Sequence, residues 1–148
     1  MAFHYLDLRT FCYDTESEDR VLSALDRFLP PRDEYDDEIK TGYEVEKSEA
    51  EGHYGNKIKV FETRLELADE IRYVMNRVRT AESFSRVLRE MEDRIDDDCS
   101  FYVRFDKQAA YEGEIRLGDG ITLMGKVEAY PAKKENAVET LNEYFSEF

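Results

Sequence analysis

The stretch from Cys99 to Lys134 carries side chains of the types that recognise a polyanion. It holds six basic against five acidic residues, whereas residues 14–51 hold fourteen acids against five bases. Tyr102, Tyr111 and Tyr130 are interleaved with these bases. Cations that meet phosphate, mixed with rings that stack on unpaired bases, are what RNA recognition requires. The alternative is that these residues form surface ion pairs and half-buried strand positions, which periodicity alone favours.

Signatures of catalysis are missing from the sequence. It contains no Gly-rich phosphate loop after a strand, no Gly-x-Ser-x-Gly elbow and no His-Glu-x-x-His zinc helix. Of its two histidines, His4 falls in a strand pattern, where a lone histidine is more often packed or solvated than catalytic. The run Asp96 to Asp98 lacks the alternating spacing of a calcium loop, so we interpret it as a solvated loop that closes a helix. We therefore predict no enzyme, no catalytic residues, no metal and no cofactor.

The net charge of the chain is −14, from 35 acidic and 21 basic residues, of which only eight are lysines. Such an excess raises self-repulsion, but in molar salt the Debye length falls to about 3 Å and the repulsion is screened. We therefore predict a protein of a halophile. The competing interpretation is an ordinary acidic protein that binds basic partners or mimics nucleic acid. The spread of the acids along the chain favours salt adaptation.

The length of 148 residues is typical of one domain, and no linker or repeat divides residues 1–148. No apolar run approaches the roughly 18 residues that a membrane helix needs. The first ten residues alternate and lack a basic leader, so we expect no signal peptide and a cytoplasmic location. Cys12 and Cys99 are predicted to be buried, reduced thiols, although two neighbouring strands could also bring them within bonding distance.

Periodicity predicts an α+β fold with the order β-α-β-β-α-α-β-β-β-α. A mostly antiparallel sheet with helices packed on one face is the natural arrangement of these elements. Strands are expected at Phe3–Tyr13, Tyr43–Glu51, Lys57–Leu65, Ser100–Asp106, Glu114–Leu117 and Ile121–Ala129. Helices are expected from a capping box at Thr15 and Glu18 to Pro30, over Ala68–Arg79 and Ser83–Ile95, and from Pro131 onward. The acidic residues 32–40 are expected to form a surface loop, and Gly55 and Asn56 a tight hairpin turn.

Several strings in the chain resemble an archaeal protein family. They are the turn Glu51 to Asn56, the stretch Phe101 to Tyr111 with its Asp-Lys-Gln-Ala-Ala-Tyr string, Gly113 to Leu117, and Ala129 to Lys133. Members of that family are described as RNA-binding proteins and predicted exosome accessory subunits. The resemblance covers nearly the whole chain and implies a fold like that of a large-subunit ribosomal protein. The acidic stretch from Pro31 to Lys40 departs from the family pattern.

The resemblance implies a non-enzymatic RNA-binding accessory protein that acts in RNA processing or degradation, with RNA and exosome proteins as partners. A protein-protein adaptor in such an assembly is the alternative. Asp106 is expected to cap the turn that begins at Lys107. The predicted RNA-binding residues are a central cluster of Arg104, Lys107, Gln108, Tyr111 and Arg116, the pair Lys133 and Lys134 at the last helix, and a rim of His53, Tyr54, Asn56 and Lys57. The prediction requires these side chains to lie together on one exposed surface.

Overall fold

The computed structural model describes residues 2–31, 43–52 and 55–147 of the chain. Within these ranges the chain alternates strands with helices, and most elements are short. In chain order they are β1 (Phe3–Cys12), α1 (Glu18–Asp26), β2 (Glu46–Glu51), β3 (Lys57–Leu65), α2 (Ala68–Val78), α3 (Phe84–Arg89), a 3-10 helix (Met91–Arg94), β4 (Ser100–Asp106), α4 (Lys107–Tyr111), β5 (Gly120–Val127) and α5 (Lys134–Ser146).

The five strands form one sheet in the order β2-β3-β1-β5-β4, and every neighbouring pair is antiparallel. β1 lies at the centre, where Leu8 pairs with Thr63 on one side and with Leu123 on the other. The predicted class, an α+β fold with an antiparallel sheet and helices, is confirmed.

The core lies between the helices and one face of the sheet. Alternate residues of a strand point to opposite faces, so β1 buries Leu6 and Leu8 while Asp7 and Arg9 face away from the core. The helices meet this buried face with their own apolar stripes. Fully buried side chains include Phe3, Leu25, Phe28, Leu65, Ile71, Met75, Phe101, Phe105, Ile121 and Leu141. No helix of the described ranges packs on the opposite face of the sheet, and we call it the open face.

The start of α1 differs from the predicted capping box. The helix begins at Glu18 after Ser17, and no side chain caps its first turn. The carboxylate of Glu18 instead binds Lys47 of β2 at 2.6 Å and Lys59 of β3 at 2.7 Å. The sequence pattern missed this because the two lysines come from strands far along the chain.

Acid pH should remove the contribution of Glu18 to stability. Hydrogen bonds from Lys47 and Lys59 hold the pKa of its carboxyl below the ordinary value. A carboxyl with a lowered folded-state pKa stabilises the fold above its ordinary pKa and loses that contribution as the pH falls through the lowered value. We expect Glu18→Gln to be less stable than the parent at about pH 7, and the difference to shrink by about pH 2.5. Urea denaturation at both pH values measures this, and a difference independent of pH would contradict it.

The segment between β4 and β5 also differs from the prediction. Residues Glu114–Leu117 were expected to form a strand, but their only bridge pairs Leu117 with Phe105. The five-residue helix α4 precedes them, and the chain then turns back at Gly113, whose φ is +97°. A hydrophobic pattern over four residues fits a strand and a loop that packs against a strand edge equally well.

Two further expectations about helices need correction. The helix expected over Ser83–Ile95 ends at Arg89 and gives way to a 3-10 helix, and Leu88, which was expected to be buried, is exposed because its neighbour Val87 is the residue of α3 that faces the core. The last helix begins at Lys134 rather than at Pro131, although Leu141 and Phe145 pack inward as expected. A change from α to 3-10 geometry rotates every later side chain, which periodicity cannot reveal.

Several other expectations are confirmed. β2 and β3 form a hairpin, and Gly55 in its turn has a φ of +78°. Cys12 and Cys99 are buried and are not bonded to each other. The acidic stretch 32–40 and the rim residues His53 and Tyr54 lie outside the described residues.

None of the helices in the described ranges has the length and apolar composition to cross a membrane. Nor do residues 2–31, 43–52 and 55–147 bring together three His, Cys, Asp or Glu side chains in a group that could hold a metal ion. Asp96 has a local role, since its carboxylate accepts hydrogen bonds from the amides of Asp98 and Ser100.

Candidate nucleic-acid interface

Tyr102 and Arg104 stand side by side on the open face of the sheet. They are alternate residues of β4, and both are exposed while Val103 between them is buried. On the adjoining strand β5 they pair with Met124 and Thr122. The tyrosine side chain is 42% exposed. An exposed ring beside a guanidinium offers a stacking surface and a phosphate contact within one strand.

The open face also carries two ion pairs that neutralise arginines. Arg64 of β3 donates two hydrogen bonds to Asp7 of β1, at 2.8 and 2.9 Å, and its guanidinium lies 3.9 Å from the centroid of the Tyr5 ring. The carboxylate of Asp7 raises the pKa of Arg64 above its ordinary value. Arg9 of β1 pairs with Glu62 of β3 in the same way. By contrast, Arg104 has no partner among the residues that the structure describes.

A hollow of about 410 Å³ adjoins Tyr102 and Arg104 at the outer edge of β4. Arg94 lines this hollow and donates hydrogen bonds to the carbonyl oxygen of Tyr102 at 3.3 Å and to the carboxylate of Glu90 at 2.9 Å. Arg86 binds the other oxygen of Glu90 at 2.7 Å, and this hydrogen bond lowers the pKa of the Glu90 carboxyl. Three arginines and two aspartates, Asp93 and Asp96, border the hollow, and because Glu90 already binds Arg86 and Arg94, Arg104 is the arginine that remains for an anion. We call this recess the β4-edge hollow.

The second recess is a cleft between α1 and α4, which we call the α1–α4 cleft. Asp106 is the N-cap of α4, since its Oδ1 accepts a hydrogen bond from the amide of Ala109 at 2.8 Å. The predicted capping role of Asp106 is confirmed. The loop before β5 closes tightly on this helix start: a Cβ on Gly118 would lie 2.7 Å from that of Asp106. At Gly120, whose φ is +117°, a Cβ would lie 2.6 Å from that of Lys107, so only glycine fits.

Lys107 is largely taken up by internal contacts. Its ammonium group donates to the carbonyl oxygen of Phe11 at 2.8 Å and to the carboxylate of Glu16 at 2.8 Å. Its side chain is only 17% exposed. The residue therefore ties α4 to the end of β1 and the turn that follows, and it has little capacity left for a phosphate. The ion-pair interpretation of the sequence is correct for this lysine.

Gln108 and Tyr111 face the solvent along the same cleft. The guanidinium of Arg20 lies 5.3 Å from the centroid of the Tyr111 ring, a cation-π contact from α1 to α4. Gln108 donates a long hydrogen bond of 3.3 Å to Glu112. Tyr111 is 37% exposed, so part of its ring is open to a ligand.

The predicted site residues do not form one continuous surface. Arg104 lies on the open face, whereas Lys107, Gln108 and Tyr111 lie in the α1–α4 cleft. Arg116 is exposed in the loop between them and pairs with Glu114. Asn56 and Lys57 lie at the tip of the β2–β3 hairpin. The hairpin extends past the last residue of β1, at the same end of the strands as Lys107.

Lys133 and Lys134 lie away from the other predicted residues along the fold. β5 starts at Gly120, opposite Asp106, and ends at Val127, opposite Phe3. The two lysines follow this far end, which is separated from α4 by the length of β5, roughly 23 Å at 3.3 Å per residue. A single nucleotide therefore cannot contact these two lysines together with Gln108 and Tyr111.

Sequence reasoning missed several residues that the fold adds to these recesses. Arg20 joins the α1–α4 cleft, and Arg86 and Arg94 border the β4-edge hollow. Arg9 and Arg64 reach the open face through strand pairing. Their signal was the alternation of charged and buried residues along β1 and β3, but the pairing of the strands was needed to place them on the same sheet face as Tyr102 and Arg104.

The chain matches a known protein family over most of its length. A family model described as RNA binding matches residues 5–127, which include both recesses and the described sheet except for Phe3 and His4 of β1. The chain therefore belongs to this RNA-binding family.

Among curated proteins, the chain is similar to RNA-binding protein PAB1135 of Pyrococcus abyssi, with 33% identity over 95% of this chain and 92% of that protein. It is also 31% identical to the uncharacterized protein MJ0213 of Methanocaldococcus jannaschii, over 92% of this chain and 93% of that one. Its relatives named here are archaeal, as the resemblance implied.

Among solved structures, the fold is similar to that of a DUF54 protein from Methanothermobacter thermautotrophicus. The TM-score is 0.73 and the identity 37%, over 97% of this chain and 98% of that one. The crystal structure of protein AF2318 from Archaeglobus fulgidus gives a TM-score of 0.80 at 29% identity, over 95% and 98% of the two chains.

Proposed function

We propose that the protein binds single-stranded RNA on the open face of its sheet, with Tyr102 and Arg104 at the centre of the contact. The observation that carries this proposal is the pairing of an exposed ring with an unpartnered guanidinium on adjacent positions of one face. The membership in an RNA-binding family and the name of the Pyrococcus relative support RNA as the ligand.

The shape of the surface favours unpaired nucleotides. A sheet exposes a broad, shallow surface on which separated bases can stack, whereas the deep major groove of an RNA duplex is closed to side chains. Tyr5, Phe11 and Tyr102 contribute rings to the open face, and Phe11 and Tyr102 are exposed. Several nucleotides of one strand can therefore contact the face in succession.

The charges on this surface favour stacking over phosphate contacts. Two of its arginines already bind carboxylates, and the whole chain carries a net charge of −14. Each free cation adds a salt-dependent contribution to affinity, whereas stacking adds about 1 to 3 kcal/mol per base at any salt concentration. With few free cations, binding should depend only weakly on salt. This suits the salt-rich cytoplasm that the composition predicts.

The proposed role is binding without catalysis, as an accessory protein in an RNA-processing or RNA-degrading assembly such as the exosome. The resemblance described above supports this setting. Burial raises the pKa of the Cys12 thiol, which makes that sulfur a poor nucleophile. A pull-down from RNase-treated lysate tests the setting: partners that remain after RNase treatment would instead indicate a protein-protein adaptor.

The contribution of Arg104 can be measured from the salt dependence of binding. Replacing Arg104 with alanine should lower the slope of log affinity against log salt by about 0.7, because one phosphate contact is lost. The measurement is a fluorescence titration of a labelled 12-nucleotide oligouridine at several KCl concentrations. Lys133→Ala is the matched control, since it removes an exposed cation that follows β5 and lies outside the strands of the open face. If Lys133→Ala lowers the slope and Arg104→Ala does not, the open face is not the binding surface.

A further inference from the structure

The α1–α4 cleft has the size and the walls of a small-ligand site. Its volume is about 620 Å³, within the range of roughly 300 to 1,000 Å³ that is common for such sites. Its lining contains the apolar residues Val21 and Ala24 and a larger number of polar side chains, most of which are exposed. They include Thr15, Glu16, Ser17, Arg20, Asp106, Lys107, Gln108, Tyr111 and Asp119.

The cleft is unsuited to phosphate. Its lysine, Lys107, is held by Phe11 and Glu16, and three carboxylates face a single remaining cation, Arg20. A phosphate placed there would meet more negative charge than positive charge. Any ligand of this cleft must therefore be uncharged or cationic in the part that enters it.

Carboxylate oxygens with free capacity line the cleft. Asp106 uses Oδ1 for the amide of Ala109, and Asp119 uses Oδ1 for the amide of Gly120. Glu16 uses Oε1 for Lys107 and for the amide of Tyr13. Within the described ranges the second oxygen of each carboxylate accepts no hydrogen bond, so the cleft presents acceptors to a ligand that carries N–H groups.

Donors and a ring complete the lining. The amide of Gln108 and the guanidinium of Arg20 can donate, and the open part of the Tyr111 ring can stack against a flat group. A planar, uncharged ligand that has donors on one edge and acceptors on another matches this set. Among the RNA bases guanine matches best, since its N1–H and N2–H₂ donate while its O6 and N7 accept.

We propose that the α1–α4 cleft binds the base of one unpaired guanine in an RNA strand whose neighbouring nucleotides lie on the open face. The base stacks on Tyr111, its Watson–Crick edge donates to the carboxylates of the cleft, and Gln108 and Arg20 donate to O6 and N7. This inference rests on the proposed RNA-binding function, and it adds a preference for one base to a surface that stacking alone leaves tolerant of sequence. Leu117 and Gly118 line the β4-edge hollow and the next residue, Asp119, lines this cleft, so one loop borders both recesses.

The test compares labelled 12-nucleotide RNAs that differ in one central base. The probes are oligouridine and the same strand with a single guanine, inosine or adenine. We expect the guanine probe to bind about tenfold more tightly than oligouridine. Inosine lacks the N2 amino group, so its probe should lose most of this preference.

Variants assign the preference to the cleft. Tyr111→Ala and Asp119→Asn should abolish the guanine preference and leave the affinity for oligouridine within about twofold, whereas Tyr111→Phe should retain both. Tyr130→Ala is the matched control, because this tyrosine is 98% exposed and lies at the other end of β5.

The outcomes separate the two proposals. If oligouridine binds in a manner that depends on Tyr102 but guanine gives no advantage, or if the advantage persists in Tyr111→Ala, the cleft assignment is wrong and the RNA-binding function stands. If none of the four probes binds at all, the proposed function and the cleft assignment are both wrong.

Discussion

Replacement of Tyr102 by alanine is expected to weaken the binding of oligouridine by about 5- to 150-fold, because the variant loses a stacking contact worth about 1 to 3 kcal/mol. Tyr102 has the exposed ring beside Arg104, on the strand whose edge borders the β4-edge hollow. The effect should persist in molar KCl, since stacking does not depend on the release of counterions. Fluorescence titration at low salt and at about 1 M KCl measures it.

Tyr102→Phe and Tyr130→Ala are the controls for this prediction. The phenylalanine variant keeps a ring at the same position and should retain most of the affinity. The Tyr130 variant removes an equally large but more exposed ring at the far end of β5 and should bind as the parent does. If Tyr102→Ala binds oligouridine with unchanged affinity while the protein still binds RNA, the open face does not carry the stacking contact.

Replacement of Phe105 by alanine should have the largest effect on stability, a loss of about 3 to 5 kcal/mol in the free energy of unfolding. Phe105 is fully buried, and its ring lies 4.9 Å from the ring of Phe28, which follows α1. The substitution leaves a cavity between β4 and the α1 region that the rigid sheet cannot close. Urea denaturation, with the slope held common to both proteins, measures the loss.

Tyr102→Ala also serves as the control for this second prediction. Tyr102 and Phe105 lie on the same strand but on opposite faces of the sheet. We expect Tyr102→Ala to change stability by less than about 1 kcal/mol and to impair RNA binding, since an exposed ring contributes little to the core. Similar losses of stability in both variants would mean that the open face is covered in solution.

The strands at the centre of the sheet were readily predictable from the sequence. In β1, Leu6 and Leu8 alternate with Asp7 and Arg9, and this period of two is decisive for a strand with one buried face. The segment Glu114–Leu117 was mispredicted as a strand. Its apolar residues reflect packing against the edge of β4, to which one bridge joins it, and not a place in the sheet. Leu88 was mispredicted because only its neighbour Val87 faces the core from this part of α3, which the helical pattern could not distinguish.

The candidate site was predictable in part. Tyr102 and Arg104 share a face because they are two residues apart in a strand, and Gln108 and Tyr111 share a face because they are three apart in a helix. The ion pair of Lys107 could not be predicted from the sequence, since its partner Glu16 lies 91 residues away in the chain. The distance of Lys133 and Lys134 from α4 was also hidden, because it depends on the direction of β5 in the sheet.

By itself the sequence determined which residues alternate, where the glycines permit tight turns, and that the acidic excess disappears between Cys99 and Lys134, where tyrosines are interleaved with the bases. These are local properties that depend on residues a few positions apart. Only the tertiary structure decided which arginines remain free and which are paired with carboxylates. It also separated the basic and aromatic residues into an open face and an acid-lined cleft. The physical reason is that ion pairs and recesses form between strands and helices that are distant in the chain, so their partners are chosen by the order and register of the sheet.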